Sequence, residues 1–306
     1  MPVRTALDFA RMMFDLGWAS TEYVTKLVSE PWLRQLAKRG DGSLPVLTLP
    51  GFSGPEISLS PLNRFLTAQG FPAESWGLGT NRGPNQDRFV EKLAHLMGEK
   101  LDRMAQRHGS KVALVGQSLG GIYAREIART HRKYVDRVIT LGSPAYMHPQ
   151  RMHQLNRTVN VAMQFYTGRT SHEALNHFGH EQLHPAPPGV PLVSIFSPYD
   201  GVVGQDLTAI PHSDLTFEKG APRENIEIVA SHCGMAVNPV VLLAICDRLT
   251  TDPHDWQKFD ARKYLPTMMK FIAPIFYPDA HARRMTQTKA EGKKGQRGFA
   301  MGLAPV

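Results

Sequence analysis

The run Lys111-Val112-Ala113-Leu114-Val115, followed at once by Gly116-Gln117-Ser118-Leu119-Gly120-Gly121, constrains this chain more than any other stretch. The apolar, β-branched half reads as a buried strand, and the residues from about 119 to 131 read as an amphipathic helix. A strand that turns so abruptly into a helix forces the residue at its apex into a strained backbone conformation. Glycines two residues to either side of Ser118 let strand and helix approach closely. The serine hydroxyl is then lifted out at the carboxyl end of a sheet. There it faces a helix N-terminus, whose dipole favours developing negative charge.

The surrounding sequence repeats this alternation of strand and helix. Residues 45–49 read as a strand running into the loop Pro50-Gly51-Phe52-Ser53-Gly54-Pro55, and 59–69 as a helix. A short strand near 73–76 ends in the loop 77–84, and a long helix covers about 87–108. Further strands are expected at 135–141, 192–196 and 226–230, with a helix at 239–249. Alternation of this kind implies an α/β fold with a mostly parallel central sheet and helices on both faces. It breaks between 145 and 188, a stretch rich in Met, His and aromatic residues that reads as a helical lid-type insertion over the sheet. The expected division is an N-terminal helical segment, 1–40, then a main domain, 44–250, and a C-terminal appendage, 251–306. Leu7, Ala10, Phe14 and Trp18 lie near one stripe of the front segment, as do Tyr23, Leu27 and Trp32-Leu33 further on. That stripe is expected to pack on the main domain, with an interfacial helix on a membrane as the alternative.

Composition narrows the classes. Apolar residues make up 42% of the 306, enough for a sizeable core, so wholesale disorder is disfavoured. No internal period is found, which disfavours solenoids and propellers. No run of about 18 apolar residues occurs, so no membrane-spanning helix is expected. The first residues lack the unbroken apolar stretch of a signal peptide, and a cytoplasmic location, with possible peripheral membrane contact, is the expectation. The two cysteines, Cys233 and Cys246, read as reduced thiols. Much of the net charge of +8 falls in the stretch 281–298, which holds six Lys or Arg against one Glu. A basic terminus can touch anionic lipid or nucleic acid, but no nucleic-acid-binding motif accompanies it, and it reads as a flexible tail.

A serine hydroxyl is a poor nucleophile at neutral pH, so Ser118 needs a base to take its proton. In folds that carry a G-x-S-x-G elbow the partners follow in the order Ser, Asp or Glu, His. The strand after the insertion ends in Pro198-Tyr199-Asp200-Gly201, which offers Asp200 as the acid; Asp206 and Asp214 are nearby rivals. The last strand ends in Ser231-His232, which offers His232 as the base from among 13 histidines. The oxyanion formed by attack on a carbonyl needs donors, for which the backbone N–H groups of Leu119 and Phe52 are the candidates. Gln117, Met147, Phe165 and Tyr166 are candidate pocket residues. His172, His177, His180 and His184 make a metal site conceivable, but no Cys joins them; neither a metal nor a cofactor is expected.

The segments PGFSGP (50–55), WGLGTNRG (76–83), VALVGQSLGGIYAREIA (112–128), VDRVITLGSP (135–144), SPYDGVV (197–203) and SHCGM (231–235) carry a family likeness. Over roughly residues 45–250 the chain resembles bacterial α/β-hydrolases of the esterase/lipase group, and its elbow is similar to triacylglycerol-lipase-like members. The resemblance implies an α/β-hydrolase fold, a Ser118–Asp200–His232 triad and an oxyanion loop at Gly51-Phe52. It also implies cleavage of carboxylic esters of apolar acyl groups through an acyl-enzyme. An acyltransferase using the same site, or a binding protein on a retained hydrolase fold, are the alternatives. The chain departs from secreted lipases in showing no evident calcium-site pattern.

Overall fold

A computed structural model describes residues 3–84, 89–145, 155–168, 187, 189–216 and 221–264. Among them six strands form one sheet: β1 (Val46–Leu49), β2 (Ala73–Ser75), β3 (Val112–Gln117), β4 (Val135–Leu141), β5 (Leu192–Phe196) and β6 (Arg223–Glu227). Their order across the sheet is β2-β1-β3-β4-β5-β6, and every neighbouring pair runs parallel. Parallel neighbours need crossover connections, and helices supply them. These are α2 (Ser60–Ala68), α3 (Phe89–His108) and α4 (Leu119–Thr130), with α6 (Pro239–Thr250) closing the domain after β6. A long helix, α1 (Val3–Leu36), precedes the sheet, and α5 (Arg157–Thr167) lies between β4 and β5.

Both sheet faces are covered, so the central strands are buried at nearly every position and mostly apolar. In β3, Ala113 and Val115 join the core beneath α2 and α6. Val112 and Leu114 join the opposite core, with Leu101 and Met104 of α3 and Ile122 and Ile127 of α4. Fully burying a side chain of this size stabilises the fold by about 1.5–3 kcal/mol. The alternation predicted from sequence is therefore the alternation observed, and β4 and β5 have the expected bounds.

The last strand differs. It begins at Arg223, three residues before the expected 226, and its pairing stops at Phe196↔Glu227 because β5 ends there. Arg223, Glu224 and Asn225 are poor strand formers, which hid the start. The buried Glu224 carboxylate is held by Arg248 at 2.7 Å, by the Trp256 indole at 2.9 Å and by the Phe259 N–H at 2.7 Å. Those contacts bring 256–259 against the sheet edge, where Phe259 joins the core.

The strand order reverses between β1 and β3: the chain moves out to β2 and then returns past β1. In open α/β sheets the crevice at the carboxyl ends of such strands is where ligands bind. The loops after β1 and β3, both singled out in the sequence, border that crevice.

Candidate active site

Ser118 sits between the last residue of β3 and the first of α4, with φ 51° and ψ −123°. Apart from Ser53 it is the only non-glycine with positive φ among the described residues. The strain is held by neighbours. The Ser118 N–H donates to the Leu141 carbonyl at 2.8 Å, and the Gly121 N–H returns to the Ser118 carbonyl at 3.0 Å. The glycines are required by crowding. A methyl group at Gly116 would meet the Gly121 Cα at 2.5 Å, and one at Gly120 would meet the Pro50 carbonyl oxygen at 2.6 Å.

The loop after β1 lies directly beside the serine. A methyl group at Gly51 would stand 3.1 Å from Ser118 Cβ and 3.9 Å from its Oγ. Asn81 fixes this loop by donating from Nδ2 to the Pro50 carbonyl at 2.8 Å, while the Ser53 N–H donates to the Asn81 carbonyl at 2.7 Å. Phe52 lies between these anchors. Leu119 opens α4, where a backbone N–H has no carbonyl partner within the helix. Both candidate oxyanion donors thus flank the serine.

Asp200 and His232 come from loops after β5 and β6, 32 residues apart, and meet with Nδ1 of the imidazole 2.7 Å from Asp200 Oδ2. The other carboxylate oxygen, Oδ1, accepts from the N–H groups of Val202 at 2.8 Å and Val203 at 2.7 Å. The Asp200 side chain is 0% exposed and that of His232 8%. Burial alone would push the imidazole down. The Asp200 charge and hydrogen bond, with the Asp15 charge behind them, outweigh it and hold His232 above its ordinary value of 6.5. With Nδ1 directed at the carboxylate, Nε2 is left to exchange a proton. Of the rival acids, Asp214 accepts from the Ser213 hydroxyl at 3.0 Å, and neither it nor Asp206 bonds the imidazole.

The acid–base pair and the elbow share an end of the sheet. Gly142 directly follows the residue that bonds Ser118, and a methyl group there would stand 3.1 Å from His232 Nδ1 and 3.0 Å from Asp200 Oδ2. Gln117, expected to line a pocket, donates from Nε2 to the His232 carbonyl at 3.0 Å. Met147 and the side chains of Phe165 and Tyr166 lie outside the described residues, as do His172, His177, His180, His184 and the basic tail. Of the stretch 145–188, expected as a lid, α5 is described. A methyl group at Gly83 would meet Phe52 Cδ2 at 3.2 Å and Thr167 Cγ2 at 3.3 Å, so the end of α5 and Phe52 both pack near Gly83 of the loop 77–84. Among the described residues no group of His, Cys, Asp and Glu could hold a metal ion, and Cys233 and Cys246 are free thiols.

Sequence reasoning missed two residues at this site, Asp15 and Glu22 of α1, which bond the backbone of the His232 loop. A signal was present. Asp8, Arg11, Asp15, Glu22, Lys26 and Glu30 recur at helical spacing, so the charges share one face of α1.

The chain has the α/β-hydrolase fold. Lipase B of Aspergillus fumigatus superposes with a TM-score of 0.50 at 18% identity, over 74% of this chain and 58% of that one. The mature lipase BlEst2 of Bacillus licheniformis aligns at 0.48 and 16%, over 70% of this chain and 94% of its own. By sequence, the human serine hydrolase BPHL is 30% identical over 112 residues, which are 35% of this chain and 38% of BPHL. No model of a known protein family matches the chain.

Proposed function

We propose that this protein is a serine hydrolase that cleaves carboxylic esters of apolar acyl groups through an acyl-enzyme. The observation that carries the reading is the buried Asp200–His232 pair, 2.7 Å apart, at the sheet end where Ser118 occupies a strained strand-to-helix turn. In this mechanism Ser118 Oγ attacks the ester carbonyl carbon and its proton passes to His232 Nε2. The oxyanion is received by the Leu119 and Phe52 N–H groups; losing one such donor costs about 3 kcal/mol of transition-state stabilisation. Collapse breaks the ester C–O bond, and His232 returns the proton to the departing alcohol. A water, deprotonated by His232, then attacks the acyl-enzyme and releases the acid and the free serine. Asp200 stays ionised throughout and stabilises the imidazolium.

The similarity to lipases and to a serine hydrolase supports an ester as substrate. The test is covalent labelling with a fluorophosphonate together with a panel of p-nitrophenyl esters of increasing chain length. Labelling confined to Ser118, lost in Ser118→Ala along with turnover, is the expected result. Folded protein that takes no label and turns over no ester would leave a binding protein on a hydrolase scaffold. Ester products formed with an added alcohol would make it an acyltransferase.

A second observation favours contact with a lipid surface. A surface helix ordinarily buries its apolar face. In α1 the buried residues include Asp15, Glu22 and Lys26, while Phe14 is 71%, Val28 79% and Trp32 70% exposed. Phe9, Met13, Val24 and Leu27 extend the same outward face, and no charged residue between positions 5 and 33 falls on it. No helix among the described residues is long and apolar enough to cross a membrane. Such a helix suits a position in the plane of the headgroups. The occupant proposed is an anionic bilayer surface, matched by the net charge of +8.

A further inference from the structure

The inward face of α1 does something that packing alone would not ask of it. Asp15, 2% exposed, accepts three backbone N–H groups: His232 at 2.7 Å, Cys233 at 2.9 Å and Gly201 at 3.1 Å. The first belongs to the candidate base and the third to the residue directly after the candidate acid. One carboxylate therefore bridges the two loops whose separation sets the Asp200–His232 hydrogen bond. Two turns on, Glu22 accepts from the Ser231 N–H at 3.2 Å, from the Ser231 hydroxyl and from Asn238 Nδ2 at 2.7 Å. Asn238 in turn caps α6 by accepting from the Val240 N–H at 2.9 Å. The base loop is thus held from residue 231 to 233 by two acids of a helix more than 200 residues away.

The close fit is written into both loops. A methyl group at Gly201 would meet the Arg11 carbonyl oxygen at 2.8 Å and Asp15 Cβ at 3.2 Å, and one at Gly234 would collide with the Glu22 carboxylate. Asn156 completes the joint by donating from Nδ2 to the carbonyls of Asp8 and Gly201, both at 2.8 Å. Burying a carboxylate carries a large desolvation cost unless hydrogen bonds are complete, and apolar residues would dock a helix with less. Among the described side chains of the helix, Leu33, near its C-terminal end, is the one apolar residue that is buried.

We infer that Asp15 and Glu22 are positioning residues for the proposed reaction, with α1 serving as a strap that fixes the His232 loop against the Asp200 loop. The inference rests on the hydrolase reading. Each carboxylate holds backbone and touches no reacting atom. The charged groups facing the imidazole and its loop are Asp200 from the β5 loop, and Asp15 and Glu22 from α1; Cys233 is the titratable neighbour on the loop itself. Removing the Asp15 charge has an effect that loosened packing lacks, because that charge also favours the imidazolium.

The test uses the full chain, with Asp15→Asn and Glu22→Gln, a short-chain p-nitrophenyl ester and the pH dependence of fluorophosphonate labelling. In D15N, kcat is expected to fall at least about tenfold, with KM little changed, on losing charge-assisted hydrogen bonds. The acid limb of its pH profile is expected to move to lower pH. E22Q is expected to lower kcat with a smaller shift of that limb. Folded D15N with wild-type rate and pH profile overturns the inference. Should D15N fail to fold, hydrogen exchange of the wild type decides: the His232, Cys233 and Gly201 amides are expected to be protected like those of β3, and free exchange overturns the inference. Wild-type protein that takes no label on Ser118 sinks the hydrolase reading itself, whereas D15N matching a labelling wild type sinks only the strap.

Discussion

The side-chain amide of Gln117 lies 3.0 Å from the backbone carbonyl of His232, so the residue before the candidate nucleophile is tied to the candidate base across 115 positions. Sequence reasoning expected Gln117 in the substrate pocket. The contact ties the elbow to the base loop, and Gln117 is expected to keep the two in register. In Gln117→Ala the His232 carbonyl loses this donor, at about 1–3 kcal/mol if nothing replaces it. The expected outcome is a kcat lower by about tenfold with KM for a short ester nearly unchanged. Steady-state kinetics over a chain-length series checks this. A rise in KM alone that grew with acyl length would put Gln117 back among pocket residues.

The Asp200–His232 pair fixes the direction of the pH response. The imidazole must be neutral to accept a proton, and its pKa is held above 6.5 by Asp200 and Asp15 against the pull of burial. Activity is therefore expected to rise as pH climbs through a value above 6.5. In Asp200→Asn that limb moves down, because the imidazolium loses its partner. The rate falls by about four orders of magnitude, since the amide also favours the wrong tautomer. Stability follows the opposite trend. A histidine whose folded pKa is raised contributes stability that is fully present below its unfolded value and lost as pH rises through the folded one. Melting temperatures of wild type and D200N across pH 5 to 9 are expected to converge at the alkaline end on this account.

Much of this arrangement was legible because it depends on local pattern. The run 112–115 is buried on both faces and is apolar throughout, and the helix after Ser118 shows its period. Asp200 and His232 follow strand ends, so chain order nominated them over Asp206, Asp214 and the other histidines. What escaped depends on tertiary contact. Asp15 and Glu22 are charged residues in a helix whose other face is apolar, and an inside-out orientation reverses the usual inference from a hydrophobic stripe. Arg223 and Glu224 open β6 only because Arg248, Trp256 and Phe259 satisfy the Glu224 carboxylate. No propensity scale weighs a partner 24 or more residues away.

That buried cluster makes a stability prediction separate from chemistry. Arg248 Nη1 donates to Glu224 Oε2 and to the Gln257 carbonyl, each at 2.7 Å, and its Nε donates to Asp247 at 3.0 Å. Removing the guanidinium takes the cationic partner from buried Glu224, which keeps only the neutral Trp256 and Phe259 donors, while Asp247 keeps Lys38 at 2.7 Å and the Tyr264 hydroxyl. Breaking the buried pair costs about 3–5 kcal/mol. Arg248→Ala is expected to lower the melting temperature by roughly 6–20 °C for a domain of this size. The destabilisation is expected to be greatest where both acids are ionised and to shrink as acid protonates them. Ser118 labelling of the folded fraction is expected to be unchanged, because the cluster lies at the β6 edge away from the elbow. A melting temperature within a degree or two of wild type would mean that Arg248 is replaceable there.

The outward face of α1 yields the last expectation. Its apolar residues are carried by a helix fixed to the domain through its polar face, so lipid binding need not undo the Asp15 and Glu22 contacts. Wild-type protein is expected to sediment with vesicles containing phosphatidylglycerol, and less with neutral phosphatidylcholine, because the net charge of +8 adds attraction to the anionic surface. Replacing Phe14, Val28 and Trp32 together by Ser is expected to lower the vesicle partition coefficient at least about tenfold, since each exposed apolar side chain contributes on the order of 1 kcal/mol or more when buried. Turnover of a soluble short-chain ester is expected to be unchanged in that variant. If the wild type instead ignored vesicles and ran as a dimer that the triple substitution dissolved, the face would be an interface between two copies, and the lipid reading would be wrong. Raised salt separates the contributions: it weakens the preference for anionic vesicles and leaves the apolar component in place.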